Sequence, residues 1–294
     1  MSGAILSVSA EVAGALAAGR PVVALETSIV GQGLPAPHNL RAALECEAAI
    51  RDEGGIPATV AVLDGRLHVG LDHAGLNRIA ESSQKVSSRD LGPAIASAAA
   101  GATTVAATMR AAAMAGVRFF ATGGIGGVHR GHPEDQSADL EELGRTAVAV
   151  FSAGPKIILD LRLTLERLES LAVPVLGYGC DDMPAFYVPT SGHRVSSRVD
   201  GPEMTARTIA AAWRTGAAGI VVAVPPPSEL QGAQGLVDQA VRELEGIEGA
   251  EVTPRLLARV AELSGGRSLD INVELVVNNA RIAAQVARAY AELT

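Results

Sequence analysis

Apolar residues along the chain occur in short continuous runs and in longer segments with helical spacing, and the two kinds of segment alternate. The runs that predict strands are residues 21–26, 57–64, 66–71, 118–124, 147–154, 174–179 and 219–224. Helical spacing occurs within residues 1–20 and over residues 38–54, 103–115, 157–172, 202–215, 229–246, 254–264 and 268–292, and a short helix is predicted after the N-cap residue Ser137.

Several of the predicted strands are apolar on both faces, which indicates a sheet covered by helices on two sides. Asp64-Gly65 separates two neighbouring strands and predicts a hairpin. We therefore predict one α/β domain over residues 1–294. It has three α/β/α layers, a mostly parallel central sheet and a helical C-terminal third.

Composition excludes several function classes. The 294 residues are 48% hydrophobic and 19% charged, which is typical of a globular protein. A net charge of −8 and 3% aromatic residues argue against nucleic-acid and membrane partners. The N-terminus has no basic region of a signal peptide, and no apolar run would span a bilayer. Cys46 and Cys180 lack zinc or disulfide spacing, so we expect a cytoplasmic protein.

Lysine is rare, since only Lys85 and Lys156 among the 24 basic residues are lysines. A chain that uses arginine wherever a positive charge suffices retains lysine where a compact cation or a nucleophilic amine is needed. The alternative is that the two lysines persist by drift.

The loops after the predicted strands are the expected ligand site, because ligands bind beyond the carboxyl ends of strands in open α/β sheets. Glu26 ends the first such strand and is placed for acid–base chemistry, or for bonding to backbone amides. Lys156 follows the strand 147–154, where desolvation favours a neutral, nucleophilic amine. The alternative for Lys156 is an ion pair with Asp160 on one helix face.

Other segments offer binding groups. KVSSRDLG and GATTVAATM, residues 85–92 and 101–109, suit a phosphate, through cations and a helix start. The alternatives are an ordinary exposed polar run for the first segment and close packing of an alanine-rich helix for the second. The glycine cluster 121–131 lacks GxGxxG spacing, which disfavours a nucleotide cofactor. Residues 129–139 carry histidines and carboxylates that suit Mg²⁺ or Mn²⁺, or a solvated acidic loop. Asn278 and Asn279 lie in an apolar helix pattern, and we expect one of them to contact a ligand or cap a neighbouring loop.

Nine segments occur in a characteristic order: ALETSIVGQGLPAPHN, GGIPATVAVLDGRLHVGL, KVSSRDL, GATTVAATM, ATGGIGGVHRG, SADLEELGRT, AGPKIILD, GYGCDDMPAF and LVVNNARIAAQ. Together they resemble the pseudouridine-5′-phosphate glycosidase family, which includes the indigoidine synthase A-like proteins. The resemblance extends from about residue 7 to 292. Ser88 departs from it, because a second arginine is usual at that position, and Cys180 stands where threonine is usual.

The resemblance implies reversible cleavage of pseudouridine 5′-phosphate to uracil and ribose 5-phosphate, through a lysine iminium with the opened sugar. It also implies a divalent metal, typically Mn²⁺, and a homotrimer. The implied roles are Glu26 as proton donor, Lys156 as nucleophile, Asn279 (or else Asn278) as catalytic asparagine, Lys85, Val105, Ser137, Ala138 and Asp139 in substrate binding, and Asp135 as metal ligand. Two alternatives remain: another lysine-dependent sugar-phosphate lyase or aldolase, and a non-catalytic sugar-phosphate-binding protein of pigment biosynthesis.

Overall fold

The computed structural model describes residues 4–81, 83–244 and 252–293. Its strands are β1 (Leu6–Val8), β2 (Val22–Leu25), β3 (Ile56–Leu63), β4 (Arg66–Val69), β5 (Gln84–Val86), β6 (Gly101–Thr103), β7 (Phe119–Ala121), β8 (Val128–His129), β9 (His132–Gln136), β10 (Ala149–Ser152), β11 (Leu159–Asp160), β12 (Val175–Tyr178), β13 (Ser197–Val199) and β14 (Ile220–Ala223). Its helices are α1 (Ala10–Ala17), α2 (His38–Asp52), α3 (His73–Glu81), α4 (Leu91–Ala96), α5 (Val105–Ala115), α6 (Ala138–Leu143), α7 (Leu161–Ser170), α8 (Gly201–Arg214), α9 (Ala233–Glu243), α10 (Val252–Leu263) and α11 (Arg267–Ala291). A π-helical turn covers Ile29–Gly33, and a 3₁₀ turn covers Ser88–Asp90.

A central sheet of eleven strands organises the fold. Nine strands follow one another in the order β1-β4-β3-β2-β7-β10-β14-β12-β13, while β6 pairs with β3 and β5 with β6. All these pairs are parallel except β3–β4 and β3–β6. A separate antiparallel sheet has the order β11-β8-β9. The prediction of a mostly parallel central sheet is confirmed.

The two faces of the sheet are covered by different helices, because successive side chains of a strand point to opposite sides. On one face, Val23 and Phe119 pack in a buried cluster with apolar residues of α2, α8 and α11. On the other face, Val22 and Phe120 pack with residues of α1, α5, α6 and α7. This confirms the three-layer arrangement and the helical C-terminal third.

Local differences from the predicted elements concern short strands. The N-terminal segment holds β1 before α1, and Thr103 ends β6 instead of opening a helix. The predicted helix over 157–172 begins only at Leu161, since β11 precedes it. The sequence did not predict the short strands β5, β8, β9 and β13. They have two to five residues and too few apolar positions to form a pattern. Residues 245 and 246 of the predicted helix 229–246 lie outside the described residues.

The hairpin predicted at Asp64-Gly65 is confirmed. Strands β3 and β4 pair antiparallel, and Leu63 lies opposite Arg66. Both turn residues have positive φ, 51° for Asp64 and 72° for Gly65, as a two-residue turn with the favoured twist requires. Among the described residues, no helix combines the length and the apolar character needed to cross a bilayer.

Gly154, in the loop after β10, allows a close backbone contact. Its φ is +84°, and a Cβ atom at this position would lie 2.1 Å from the carbonyl oxygen of Pro184. The obstructing atom belongs to the backbone and has no rotamer by which to move away. Only glycine therefore fits between β10 and the segment that contains Pro184.

We expect Gly154→Ala to lower the free energy of unfolding by about 3 kcal/mol or more, through strained φ and the backbone clash. Denaturant unfolding monitored by circular dichroism measures the change. Gly14→Ala is the matched control, because Gly14 lies in α1 with open space around its Cα. We expect that control to be neutral or to stabilise by about 0.5–1 kcal/mol. Equal unfolding midpoints for the two variants would contradict the analysis.

Candidate active site

The site lies at the carboxyl ends of three neighbouring parallel strands. In β2, Leu25 pairs with Ala121 of β7, and Ala121 pairs in turn with Phe151 of β10. Glu26 follows β2 directly, and Thr122 follows β7 directly. The register therefore brings the residues after these strands to one edge of the sheet, as the sequence analysis expected.

A cavity of about 60 Å³ at this edge contains the three ionisable side chains that the sequence singled out at separate positions. It is lined by Glu26, Lys85 and Lys156 together with Ser28, Ile29, Gln32, Gly33, Thr122, Gly123, Gly124, Phe186, Leu257 and Asn272. Both lysines of the chain therefore face one carboxyl group in a single cavity.

Glu26 is held by two hydroxyl donors. Ser28 Oγ donates a hydrogen bond to Oε2 of Glu26, and Thr122 Oγ1 donates to Oε1. Burial raises the pKa of Glu26, and the positive charge of Lys156 and the two hydroxyl groups oppose that rise only in part. The negative charge of Asp139 acts in the same direction as burial. Glu26 thus keeps a proton to a higher pH than an exposed glutamate, as a general acid requires.

Lys85 reaches the cavity from β5, which pairs with β6 at the end of the sheet. Part of its side chain is exposed, but the protein around its ammonium group removes enough water to lower the pKa of Lys85. The charge of Lys156 lowers it further, whereas Asp139 and Glu26 oppose this effect. The two lysines are therefore close enough to repel one another, which favours an anionic ligand between them.

Lys156 lies in the connection between β10 and β11. Its backbone N–H donates to the carbonyl oxygen of Ile125 at 3.1 Å, and its carbonyl oxygen accepts from Leu159 N–H at 2.9 Å. Asp160 is the N-cap of α7, and its side chain accepts from Leu163 N–H at 2.9 Å. The expected alternative, an ion pair of Lys156 and Asp160 on one helix face, is wrong, because Lys156 precedes the helix.

Asp139 connects the start of α5 to the glycine loop after β7. Its buried carboxylate accepts from Ala106 N–H at 2.9 Å and from Gly126 N–H at 2.8 Å. Val105 is the first residue of α5, and Ser137 caps α6. Asp139, Val105, Ser137 and Ala138 are not among the residues that line the cavity with Glu26, but the charge of Asp139 acts on the pKa of both Glu26 and Lys85.

Asn279 is fully buried and supports the loop after β7. Its Nδ2 donates to the carbonyl oxygen of Thr122 at 2.8 Å, while its Oδ1 has no hydrogen-bond partner among the described residues. Asn278 is only half-buried. The structure thus places Asn279, the expected choice of the pair, directly behind a residue that binds Glu26.

Ser88, which departs from the family resemblance, forms a hydrogen bond with a residue of α6. Ser88 Oγ donates to Oε2 of Glu142 at 3.1 Å. Glu142 is buried and also binds the guanidinium group of Arg110 at 2.6 Å. Ser88 therefore ties the loop that follows Lys85 to α6.

Asp135, the expected metal ligand, lies on β9 with a 56% exposed side chain. Its carboxylate is 3.2 Å from Nδ1 of His129. The described parts of the chain contain no group of three or more histidine, cysteine or carboxylate side chains that could enclose a metal ion. This donor set does not fit a closed protein cage, but it fits a hard cation that keeps most of its water shell.

Three further residues that line the cavity were not predicted from the sequence: Gln32, Phe186 and Asn272. Asn272 carried a usable signal, because it lies seven residues before Asn279 on the same buried face of α11. Gln32 and Phe186 carried none, since each reaches the site through an irregular turn.

Comparison of the sequence with known families identifies one match over most of the chain. A sequence model described as "Indigoidine synthase A like protein" matches residues 11–289. A pseudouridine-5′-phosphate glycosidase from Nocardioides sp. is 51% identical over 300 residues, and the match covers 98% of both chains. The pseudouridine-5′-phosphate glycosidase of Escherichia coli is 48% identical, with 98% of this chain and 96% of the relative covered.

Solved structures share the fold. The prealnumycin C-glycosynthase AlnA, in complex with ribulose 5-phosphate, superposes with a TM-score of 0.90 at 36% identity and covers 99% of this chain and 98% of its own. An indigoidine synthase A-like protein from Thermotoga maritima superposes with a TM-score of 0.89 at 30% identity, covering 96% and 95%.

We expect Glu26→Gln to raise the melting temperature at neutral pH, because it removes a carboxyl group whose ionisation is unfavourable in the folded state. The pKa of Glu26 is raised from its ordinary value of 4.5. Wild-type protein therefore loses stability relative to the variant as the pH rises from about 4.5 through the folded-state pKa. Thermal unfolding between pH 4.5 and 8 should show the difference growing with pH.

Glu11→Gln is a control of opposite sign. The pKa of Glu11 is lowered, chiefly by its hydrogen bonds from Arg51. Wild-type protein should therefore be the more stable of this pair above pH 4.5, and the advantage should disappear as the pH falls. A melting difference for Glu26→Gln that is constant over the same range would refute the assignment.

Proposed function

The chain belongs to the indigoidine synthase A-like family, and on this basis we propose that it cleaves and forms the C–C glycosidic bond of pseudouridine 5′-phosphate. Cleavage yields uracil and ribose 5-phosphate. One observation carries the proposal: Glu26 and both lysines of the chain line a single cavity at the strand ends. Relatives of that activity are about half identical over nearly the whole chain.

The bond to be broken explains the need for an amine. Uracil is attached through carbon, so the two carboxyl groups of an ordinary glycosidase would face a poor, carbanion-like leaving group. A nitrogen attached to C1′ of the opened sugar donates its lone pair as this bond breaks, so an iminium forms at C1′ while the electron pair of the bond goes to C5 of the base. Lys156 is the residue proposed to form the iminium.

The first step opens the ribose ring. The Nζ lone pair of Lys156 forms a bond to C1′ while the C1′–O4′ bond breaks. The electron pair of the C1′–O4′ bond goes to O4′, which takes the proton of Glu26 and becomes a hydroxyl group. The raised pKa of Glu26 supports this role, because the acid must hold its proton until the ring opens.

The second step releases uracil. The attached nitrogen loses a proton, its lone pair forms the C1′=N bond, and the C1′–C5 bond breaks as C5 of the base gains a proton. Water then adds to the iminium, the aldehyde of ribose 5-phosphate forms, and Lys156 returns to the amine. The proton released in this hydrolysis restores Glu26, so the cycle is balanced.

Substrate binding uses the groups beside the reacting centre. Lys85 is proposed to bind the phosphate as a compact cation. The helix starts at Val105 and at Ser137-Ala138 add backbone N–H groups, which favour an anion. The resemblance implies catalysis for Asn279 and substrate binding for Asp139, but neither lines the cavity with Glu26, and both are therefore proposed to act as positioning residues. This role is supported by their hydrogen bonds to the backbone around the cavity.

A divalent cation, with Mn²⁺ as the first choice, is proposed to bind Asp135 through one carboxylate while retaining water. When bound, it supplies positive charge and ordered water near the substrate. We further propose a cytoplasmic homotrimer. The free thiols Cys46 and Cys180 support a reducing compartment, and the trimer rests on the family resemblance.

Borohydride reduction tests the covalent step. Incubation with ribose 5-phosphate and sodium cyanoborohydride should add one reduced pentose phosphate, mapped to Lys156 by peptide mass spectrometry. Lys156→Arg should lose the adduct and lower kcat by at least about 10³-fold, because a guanidinium does not form an iminium.

Lys85→Arg is the matched control for the loss of lysine. It should keep the adduct at Lys156 and chiefly raise KM for the phosphorylated substrate. An adduct at Lys85 alone, or full turnover by Lys156→Arg, would exclude the proposed mechanism. Adduct formation without release or uptake of uracil would favour a sugar-phosphate lyase or aldolase.

Chelation tests the metal. EDTA should abolish most activity, and Mn²⁺ should restore it in the wild-type protein. Asp135→Asn should need at least about tenfold more Mn²⁺ for half-maximal activity, because it removes the only carboxylate proposed to bind the ion. Glu134→Gln, a neighbouring exposed carboxylate, should behave as wild type. Activity indifferent to EDTA would contradict the assignment.

A further inference from the structure

Two uncharged amide side chains lie where the catalytic cavity meets a second cavity. Gln32 and Asn272, with Gly33 and Leu257, line both spaces. Glu26, Lys85 and Lys156 line only the first, while the second, of about 690 Å³, is bounded largely by the π-turn, α10 and the start of α11. Glu26, Lys85 and Lys156 thus line the first cavity, Arg255 and Glu262 line the second, and the two amides lie where the cavities meet.

The amide of Gln32 is fixed in one orientation. Its Nε2 donates to the carbonyl oxygen of Ser83 at 2.9 Å and to Oγ of Ser83 at 3.2 Å. A flipped amide would place two carbonyl oxygens against each other, so the network assigns nitrogen to this side. The Oε1 atom that remains is buried and has no hydrogen-bond partner among the described residues. A buried acceptor without a partner carries a desolvation cost, which a hydrogen-bond donor on a ligand in the cavity would remove.

Asn272 presents a second acceptor. Its Nδ2 donates to the hydroxyl group of Tyr187 at 3.3 Å. Its Oδ1 accepts no hydrogen bond from a described residue and points towards the glycine loop, 3.8 Å from where a Cβ would lie on Gly123. The side chain is buried except where it meets the cavity.

Phe186 supplies a flat apolar surface beside Asn272. Its φ of +61° is unusual for a residue with a large side chain. The ring lies so close to Gly124 that a Cβ there would be 2.6 Å from it. The backbone of Phe186 is held by its N–H bond to the carbonyl oxygen of Ala153 at 2.8 Å. Because Phe186 and both amides line the same cavity, a planar ligand there would contact the ring and the amides together.

From these observations, and resting on the proposed function, we infer that Gln32 and Asn272 select the leaving base by accepting its two N–H groups. A uracil attached through C5 has both N1–H and N3–H free, whereas a uracil attached through N1 has only N3–H. Two unpartnered amide oxygens therefore match the carbon-linked base and leave one acceptor unsatisfied with the nitrogen-linked one. Such a missing partner is a strong source of discrimination.

Methylated substrates test the inference. Pseudouridine 5′-phosphate methylated at N1 or at N3 loses one donor each. We expect wild-type kcat/KM to fall about 10- to 100-fold for either compound relative to the unmodified substrate. We call the factor by which kcat/KM falls for each methylated compound its penalty. The methyl group also adds bulk, so the decisive quantity is the change in each penalty that a variant causes.

Gln32→Met removes one acceptor at similar length. It should lower kcat/KM for the unmodified substrate and reduce the penalty for one methylated compound to below about threefold, with the other penalty unchanged. Asn272→Leu should do the same for the other compound, and Asn272→Ala replaces it if leucine prevents folding. In the synthetic direction, both changes should raise KM for uracil more than KM for ribose 5-phosphate.

Gln234→Met is the matched control, since Gln234 is an exposed residue of α9, and it should retain both penalties in full. Retention of both penalties by folded Gln32 and Asn272 variants would overturn the inference while leaving cleavage intact. A wild-type protein that does not cleave unmodified pseudouridine 5′-phosphate would instead overturn the proposed function.

Discussion

Parallel pairing of β2, β7 and β10 in a common register is the constraint on which the site depends. It brings Glu26 beside Thr122 and places the connection that holds Lys156 next to both. Glu26 and Thr122 are nearly 100 positions apart in the sequence, and Lys156 lies further along, so no local preference would bring them together. The two packed faces of the sheet fix this register, because a shift of one residue would turn every side chain of the strand to the opposite face.

The site concentrates charge where the fold offers little water. Burial raises the pKa of Glu26 and lowers that of Lys85, so both groups are displaced towards their neutral forms. Lys156 and Asp139 act on these pKa values through their own charges. Hydroxyl donors and backbone N–H groups hold the carboxylates of Glu26 and Asp139, which limits the cost of burying them. A site of this kind reduces stability in exchange for reactivity.

The sequence predicted the parts of this arrangement that follow from periodicity and from strand ends. The long apolar runs gave the central strands, and the position of Glu26 after β2 followed from them. The rarity of lysine identified Lys85 and Lys156 before their common cavity was visible. Short polar strands such as β9 gave no period. Gln32 and Phe186 could not be predicted because a π-turn and a left-handed backbone, respectively, bring them to the cavity.

Gly154 has a consequence beyond the stability of its loop. The carbonyl group of Pro184 lies close against Gly154, and the N–H of Phe186 donates a hydrogen bond to the carbonyl oxygen of Ala153, so the connection to Lys156 and the segment carrying the aromatic ring are in contact at two points. The aromatic ring that lines the cavity and the backbone next to the nucleophile are therefore held in one fixed relative position.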